Sequence, residues 1–261
     1  MDIVVCIKQV PGTTEVKVDP QTNTLIREGV EAITNPFDAY ALEEAVRLKE
    51  RTGGKVTALS MGPPQADKAL RDAISVGVDA AVLLSDPSFA GSDTLATSYT
   101  LAKAIEKIGS WDLIICGKQT LDGDTGQVGP ELAERLDIPF VTCVRKIKEI
   151  GKGFFKMERM IEEGYELVEM PLPGLITVVK EINEPRLPSL RGMMAAKKAE
   201  ISIWTAQDIN AERDMIGIDG SPTRVVKIFT PVREQRSEIL EGDLEGQISQ
   251  LIEKLRQIRV V

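Results

Sequence analysis

From the N-terminus to about residue 145, short apolar runs alternate with amphipathic stretches. Ile3 to Ile7 is an unbroken apolar run, which suits a strand buried on both faces. Residues 38–51 place Tyr40, Ala41, Ala45 and Leu48 on one side with charges opposite, a helical spacing that Gly53 and Gly54 end. The same pattern predicts strands at 55–60, 80–84, 113–116 and 140–144. It predicts helices at 65–76, from Ser92/Asp93 to about Lys107, and over about 126–136. Regular strand–helix alternation implies an α/β fold with a mostly parallel, helix-covered, Rossmann-like sheet. Between the first strand and the first helix, the segment 10–36 is long enough for a small hairpin, 16–18 against 24–27.

After Val144 the period changes. Segments 145–150, 153–159 and 166–169 read as an antiparallel β meander, with turns at 151–153 and 162–164. Residues 175–179 (Leu-Ile-Thr-Val-Val) form a strong buried strand expected to return to the main sheet. Pro185, Pro188 and Gly192 break the chain into a surface loop that ends at Met193, Met194, Ala195, Ala196, Lys197 and Lys198. A short strand near 201–204, a Gly/Pro-rich stretch at 217–222 and a helix over about 244–258 follow. The expected organisation is an α/β domain at 1–205, with the meander at about 145–170 and a surface loop at about 183–198. A C-terminal arm at 206–261 is too sparse in apolar residues for its own core and is expected to pack on another chain.

Composition narrows the chemistry. The chain has 261 residues and a formal net charge of -8, with no lysine or arginine run dense enough for a nucleic-acid face. No stretch reaches the roughly 18 apolar residues of a membrane span. The start reads as a strand rather than a signal peptide. Three cysteines, Cys6, Cys116 and Cys143, sit in apolar runs without close spacing, which points to free thiols in a reducing, cytoplasmic setting. There is no histidine. Triads, Cys-His dyads and His-ligated metals are therefore excluded, and no metal site is expected. Redox or transfer chemistry falls to a bound cofactor, or to carboxylates and lysines.

The most informative stretch is 113–131, a strand, then a glycine-rich loop, then a helix start. Gly117, Gly123, Gly126 and Gly129 let backbone approach a ligand, and a helix N-terminus attracts phosphate. An ordinary βα turn has the same ingredients, so the loop alone leaves both readings open. In a parallel sheet the loops after strands 1, 2, 3 and 4 face one crevice. That places the Cys6–Pro11 loop, Met61-Gly62, residues 85–93 and the Gly117 loop together, with Asn35-Pro36-Phe37-Asp38 reaching in from the first helix start. Lys8 can neutralise phosphate or simply lie in solvent. Asp122 and Asp124 suit ribose hydroxyls or Asx-type loop bonds better than phosphate. Donors to phosphate are the backbone N–H groups of Thr125 to Val128, the Thr125 hydroxyl and the Gln127 amide. The segment 182–198 mixes Leu187, Leu190, Met193 and Met194 with Arg186 and Arg191, a composition for a docking surface or for a loop packed on its own domain.

Several of these segments together resemble one family, the β subunit of electron transfer flavoprotein. They are 4–11 (Val-Val-Cys-Ile-Lys-Gln-Val-Pro), Asn35-Pro36-Phe37-Asp38 with Glu43-Glu44-Ala45, and Ser60-Met61-Gly62-Pro63. Further on come Gly117-Lys118-Gln119 with 122–129 (Asp-Gly-Asp-Thr-Gly-Gln-Val-Gly), Leu172-Pro173 before Ile176-Thr177, and Asn183-Glu184-Pro185-Arg186. The match runs nearly end to end. The resemblance implies a heterodimer with an α subunit that carries the redox FAD. It implies a nucleotide in this chain held by Cys6, Asn35, Met61, Gly62 and the loop from Gly117 to Val128. It also implies a dehydrogenase-docking loop at 183–198 with Leu190 as its leucine anchor. Gly123, Thr125 and Gly126 stand where common members carry larger polar residues, and the docking loop departs from the usual version. The opening segment, the Met-Gly-Pro-Pro turn and the Asp-Gly-Asp-Thr loop look more like electron-bifurcating members from anaerobes. That likeness implies FAD in place of AMP, NADH as reductant, and electrons passing to ferredoxin or flavodoxin and to an acyl-CoA or hydroxyacid dehydrogenase. A nucleotide-binding stress or regulatory module is the alternative from another class, and a nucleotide-hydrolysing or adenylating enzyme is a third. The meander, docking loop and arm count against the regulatory module. The absence of a Ser-Gly-Gly-type loop and of histidine counts against the enzyme.

Overall fold

A computed structural model describes residues 1–12, 32–226 and 237–260. The expected hairpin at 16–18 and 24–27 lies outside the described residues. The chain divides into two compact units, Met1–Val226 and Lys227–Val261.

In the first unit the chain runs β1 (Ile3–Cys6), β2 (Gln9–Pro11), β3 (Ala32–Thr34), α1 (Pro36–Thr52), β4 (Val56–Met61), α2 (Asp67–Ser75), β5 (Ala80–Leu84) and α3 (Thr94–Ile108). It continues through β6 (Leu113–Gly117), α4 (Val128–Arg135), β7 (Phe140–Gly151), β8 (Phe154–Ile161), β9 (Gly164–Pro171), β10 (Gly174–Val178), α5 (Leu190–Lys198) and β11 (Ser202–Trp204). Among the described residues the main sheet has nine strands in the order β11-β5-β4-β1-β6-β10-β7-β8-β9. It is parallel from β11 to β7 and antiparallel from β7 to β9. The class and layout match the expected mixed α/β sheet with a meander.

The apolar runs become two-sided strands because helices cover both faces. Ile3, Val5, Ala58 and Ile115 pack under α1 and α2 through Leu42, Leu48 and Leu70. Val4, Leu59, Ile114 and Leu175 pack under α3 and α4 through Leu101, Ile105 and Leu132. Alternate residues of one run thus enter two different cores. The expected strand 140–144 and the first arm of the meander are one long strand, β7. Cys143 has φ 58, and pairing with β10 shifts register between Ile176 and Val178. This irregularity lies where β7 leaves its parallel neighbour and goes on into the hairpin with β8.

Two placements differ from the sequence reading. The second half of the docking loop is helical: Ser189 accepts the Gly192 N–H at 3.0 Å and caps α5. Gly192 is not a breaker there, because it packs against the end of α2. Residues 206–226, expected to begin the arm, pack on the first unit. Ile209 and Ile216 are buried with α3 residues, and the Tyr99 hydroxyl accepts the Glu212 N–H at 3.0 Å. Low apolar density hid this, since two isoleucines with backbone-to-side-chain bonds suffice. The second unit carries α6 (Leu244–Gln257), capped by Asp243, with Leu244, Ile248, Leu251 and Ile252 exposed at helical spacing.

Candidate functional site

The strand order reverses direction beside β1. The chain steps outward from β1 to β4 and β5, then returns to β6 on the other side. The carboxyl ends of β1 and β6, with Cys6 opposite Cys116, therefore mark the switch point where ligands of such sheets bind.

Three loops meet there, and one buried side chain joins them. Asn35 is 0 % exposed. Its Nδ2 donates to the Gln119 carbonyl at 2.9 Å, its Oδ1 accepts the Leu121 N–H at 3.2 Å, and its own N–H donates to the Lys8 carbonyl at 2.8 Å. Asn35 stands at the N-cap of α1, yet its side chain does not cap that helix. It holds the glycine loop instead. The Lys8 N–H donates to Asp38 Oδ2 at 2.7 Å, which ties the segment after β1 to the first turn of α1. A Cβ on Gly117 would overlap Asp38 Oδ1 and come within 2.8 Å of Phe37 Cβ, so only glycine lets β6 end against the start of α1.

Burial pushes the Asp38 carboxyl up to about 7, against hydrogen bonds from Asn35 and from the Lys8 and Gly117 amides that hold it down. A hydrogen bond with Cys6 and burial push the Cys116 thiol up as well, so it stays neutral beneath the crevice. Nearer the mouth, Lys8 Nζ donates to Asp122 Oδ2 at 2.7 Å and Oδ1 at 2.9 Å. Partial burial opposes ionisation of Asp122, but the Lys8 ammonium and the Thr120 hydroxyl outweigh it and hold the carboxyl below its usual range. Lys8 is thus neither loose in solvent nor free to meet an anion without giving up Asp122.

The glycine loop is shaped from within. The Asp124 N–H donates to the Thr120 carbonyl at 2.9 Å, Gln119 Nε2 bonds Asp124 Oδ1, and Asp124 and Gly126 take φ of 53 and 64. Asp124 therefore serves the loop itself. A Cβ on Gly129 would lie 2.6 Å from Thr177 Cγ2, so this glycine seats α4 on β10. Helix α4 starts at Val128, two residues later than expected, and its first intrahelical donor is the Glu131 N–H, bonded to the Gln127 carbonyl at 3.0 Å. Among the described residues no acceptor meets the N–H groups of Thr125, Gly126, Gln127 or Val128. Four main-chain donors at a helix start, beside glycines and a lysine, are the donor set that a phosphate group requires. The residues present therefore fit an adenylate's phosphate.

Other predicted residues take different places. The Lys118 N–H extends the β6–β10 ladder by donating to the Val178 carbonyl at 2.9 Å. Gly62 donates to the Leu84 carbonyl at 3.0 Å, so Met61-Gly62 is a turn braced by β5. In the docking segment, Leu187 is 89 % exposed and Leu190 73 %, with Arg191 and Met193 exposed beside them. Arg186 is held inward: Nε donates to Glu43 Oε2 at 2.8 Å and Nη1 to Glu50 Oε1 at 2.6 Å. Sequence reasoning missed Arg71, which bonds the carbonyls at the end of α5. Only its spacing four residues after Asp67 could have drawn notice.

The fold and its sheet edge define a mostly parallel α/β protein with open main-chain donors at the switch point of the sheet. The family model described as the electron transfer flavoprotein domain matches residues 22–209. The chain is 50 % identical over 262 residues to the electron transfer flavoprotein subunit beta of Thermoanaerobacterium thermosaccharolyticum, covering all of both chains. It is 45 % identical over 263 residues, again covering all of both, to the caffeyl-CoA reductase-Etf complex subunit CarD of Acetobacterium woodii. Against Protein FixA of Azotobacter vinelandii the identity is 48 % over 249 residues, 93 % of this chain and 89 % of that one. The chain belongs to the electron transfer flavoprotein family, as a β subunit.

Proposed function

We propose that this chain works as the β half of an electron transfer flavoprotein heterodimer and holds FAD, in preference to AMP, in the crevice between β1 and β6. The observation that carries the reading is the set of unmet amides from Thr125 to Val128. Those N–H groups hold the phosphates, Asn35 and Gly117 fix the loop that presents them, and Lys8 with Asp122 lines the mouth. Cys6, Asp38, Met61, Gly62, Lys118, Gln119 and Asp124 shape the walls. Gly123, Thr125 and Gly126 project little side chain, which leaves room for a ligand larger than AMP. When bound, FAD supplies the hydride-accepting and one-electron chemistry that no side chain of this chain offers. NADH is the proposed electron donor. The proposed acceptors are ferredoxin or flavodoxin and, through the α-subunit FAD, an acyl-CoA or hydroxyacid dehydrogenase. A relative named as a subunit of a caffeyl-CoA reductase-Etf complex supports a partner of the acyl-CoA type. Leu187, Leu190, Arg191 and Met193 form the docking face, and Arg186 braces it. The C-terminal arm packs on the α subunit, a role that the bare apolar stripe of α6 supports.

Co-expression with the α partner tests this directly. Two FAD per heterodimer and reduction by NADH are expected. One FAD plus AMP would overturn FAD binding in this chain while leaving the crevice a nucleotide site. Absence of any adenylate would overturn the crevice itself.

A further inference from the structure

The docking segment is built more firmly than a loop. Upstream, Asn183 Nδ2 donates to the Tyr40 carbonyl and to Glu44 Oε2, both at 3.0 Å, and Arg186 grips Glu43 and Glu50. All four partners lie on α1. Downstream, α5 lies on α2. A Cβ on Gly192 would overlap the Ser75 carbonyl oxygen, so the two backbones touch with no side chain between them. One turn later on the same face, Ala196 is buried. Arg71, oriented by Asp67 at 2.6 Å, donates Nη1 to the Ala196 carbonyl at 2.7 Å and to the Ala199 carbonyl at 3.3 Å. These carbonyls end α5 and have no intrahelical partner, so the guanidinium caps the helix and complements its dipole.

The face turned away from α2 has a different chemistry. Leu190, Met193 and Met194, at helical spacing, are all exposed, and Leu187 stands before them. Arg191, Lys197 and Lys198 flank this apolar stripe, and the helix sequence LRGMMAAKK contains no carboxylate. The platform is thus cationic on a chain whose net charge is -8.

We infer that Arg71 and Gly192 are positioning residues that seat α5 against α2 and so prebuild the docking face, and that its flanking cations fit an acidic rim on the dehydrogenase partner. The inference rests on the docking reading above. Because the helix is ordered before contact, little conformational entropy is lost on binding, and the cations steer an acidic partner. Arg71 touches neither nucleotide nor partner and acts only by positioning α5.

The test uses the α/β heterodimer and an acyl-CoA dehydrogenase as electron acceptor. In wild type, hydrogen exchange should be slow at the amides of 194–199. Arg71→Ala should speed it by about tenfold there and leave β1 and β6 unchanged. The same variant should raise KM for the dehydrogenase about tenfold with kcat and bound flavin unchanged, and Arg71→Lys should recover part of the loss. Gly192→Ala should act like Arg71→Ala, because α5 must lift from α2. Raising salt should raise the wild-type KM. If Arg71→Ala and Gly192→Ala leave both exchange and KM at wild-type values, the positioning claim is overturned. A KM indifferent to salt overturns the acidic rim. Leu190→Ala separates the levels: if it alone leaves KM unchanged, the docking reading fails and this inference falls with it. If it raises KM while the Arg71 and Gly192 variants do not, only the inference fails.

Discussion

The crevice between β1 and β6 and the docking segment from 183 to 198 are both made of turns and a helix start, yet each leaves a different kind of group unfinished. At the crevice, backbone donors from Thr125 to Val128 lack acceptors among the described residues, while the strand ends beneath them are covered. Along α5 a side chain caps each end, Ser189 at the Gly192 N–H and Arg71 at the Ala196 and Ala199 carbonyls, and the large apolar side chains are bare. Unmet amides at a helix start suit an anion, because the helix dipole and several neighbouring main-chain donors favour negative charge there. Bare leucine and methionine on an ordered helix call for another apolar surface. One region thus suits a small charged ligand and the other a macromolecule.

The contrast can be broken most severely at Gly117. Gly117→Val should force β6 off the start of α1, destabilise the fold by about 3 kcal/mol as an overpacked site does, and empty the crevice while leaving α5 in place. Thermal melting together with retained-nucleotide analysis checks it, and an unchanged Tm would show that the junction has slack. Next in size is Asn35→Ala. It leaves the Leu121 N–H and the Gln119 carbonyl without their buried partner, at a cost of about 2 kcal/mol. Faster hydrogen exchange at 119–121 with unchanged exchange in α5 is the expected signature.

A third test uses pH. With its carboxyl raised from 3.8 to about 7, Asp38 holds its proton more tightly in the folded than in the unfolded state. Its contribution therefore favours folding at low pH and is lost as pH rises from the ordinary carboxylate range through about 7. Asp38→Asn cannot ionise. Wild type should lose a few degrees of Tm relative to this variant across that window and run parallel to it above. Parallel curves throughout would mean that Asp38 ionises normally. The smallest effect is expected at Leu190→Ala, which should slow transfer to the dehydrogenase about tenfold without altering nucleotide content or Tm. A matching fall in Tm would place Leu190 in the fold rather than at the docking surface.

Much of the architecture was legible because it follows from short-range periodicity. The runs at Ile3, Ala80 and Leu113 had to be strands, and the alternation at Tyr40, Ala45 and Leu48 had to be a helix. The crevice loops followed, since strand carboxyl ends in a parallel sheet share an edge. The partners inside the crevice were not legible. Nothing in the spacing of Lys8 and Asp122 shows that they pair across 114 positions, and nothing marks Asn35 as the link among three loops rather than a cap. The helix α5 was obscured by Pro185, Pro188 and Gly192, which read as breakers when their neighbour α2 is out of view.

By itself, the sequence determined the alternation of strands β1, β4, β5 and β6 with helices α1 to α4, the meander, the absence of histidine chemistry and the glycine loop at the sheet edge. All of these depend on residue type and on contacts a few positions apart. Tertiary structure alone decided which polar groups were satisfied and which were left open. It turned Arg186 inward, gave Arg71 the end of α5, joined 206–226 to the first unit and left the amides of Thr125 to Val128 without partners among the described residues. The physical reason is that a hydrogen bond or a buried charge depends on which distant groups the fold brings within about 3 Å, and short-range pattern carries no information about that distance.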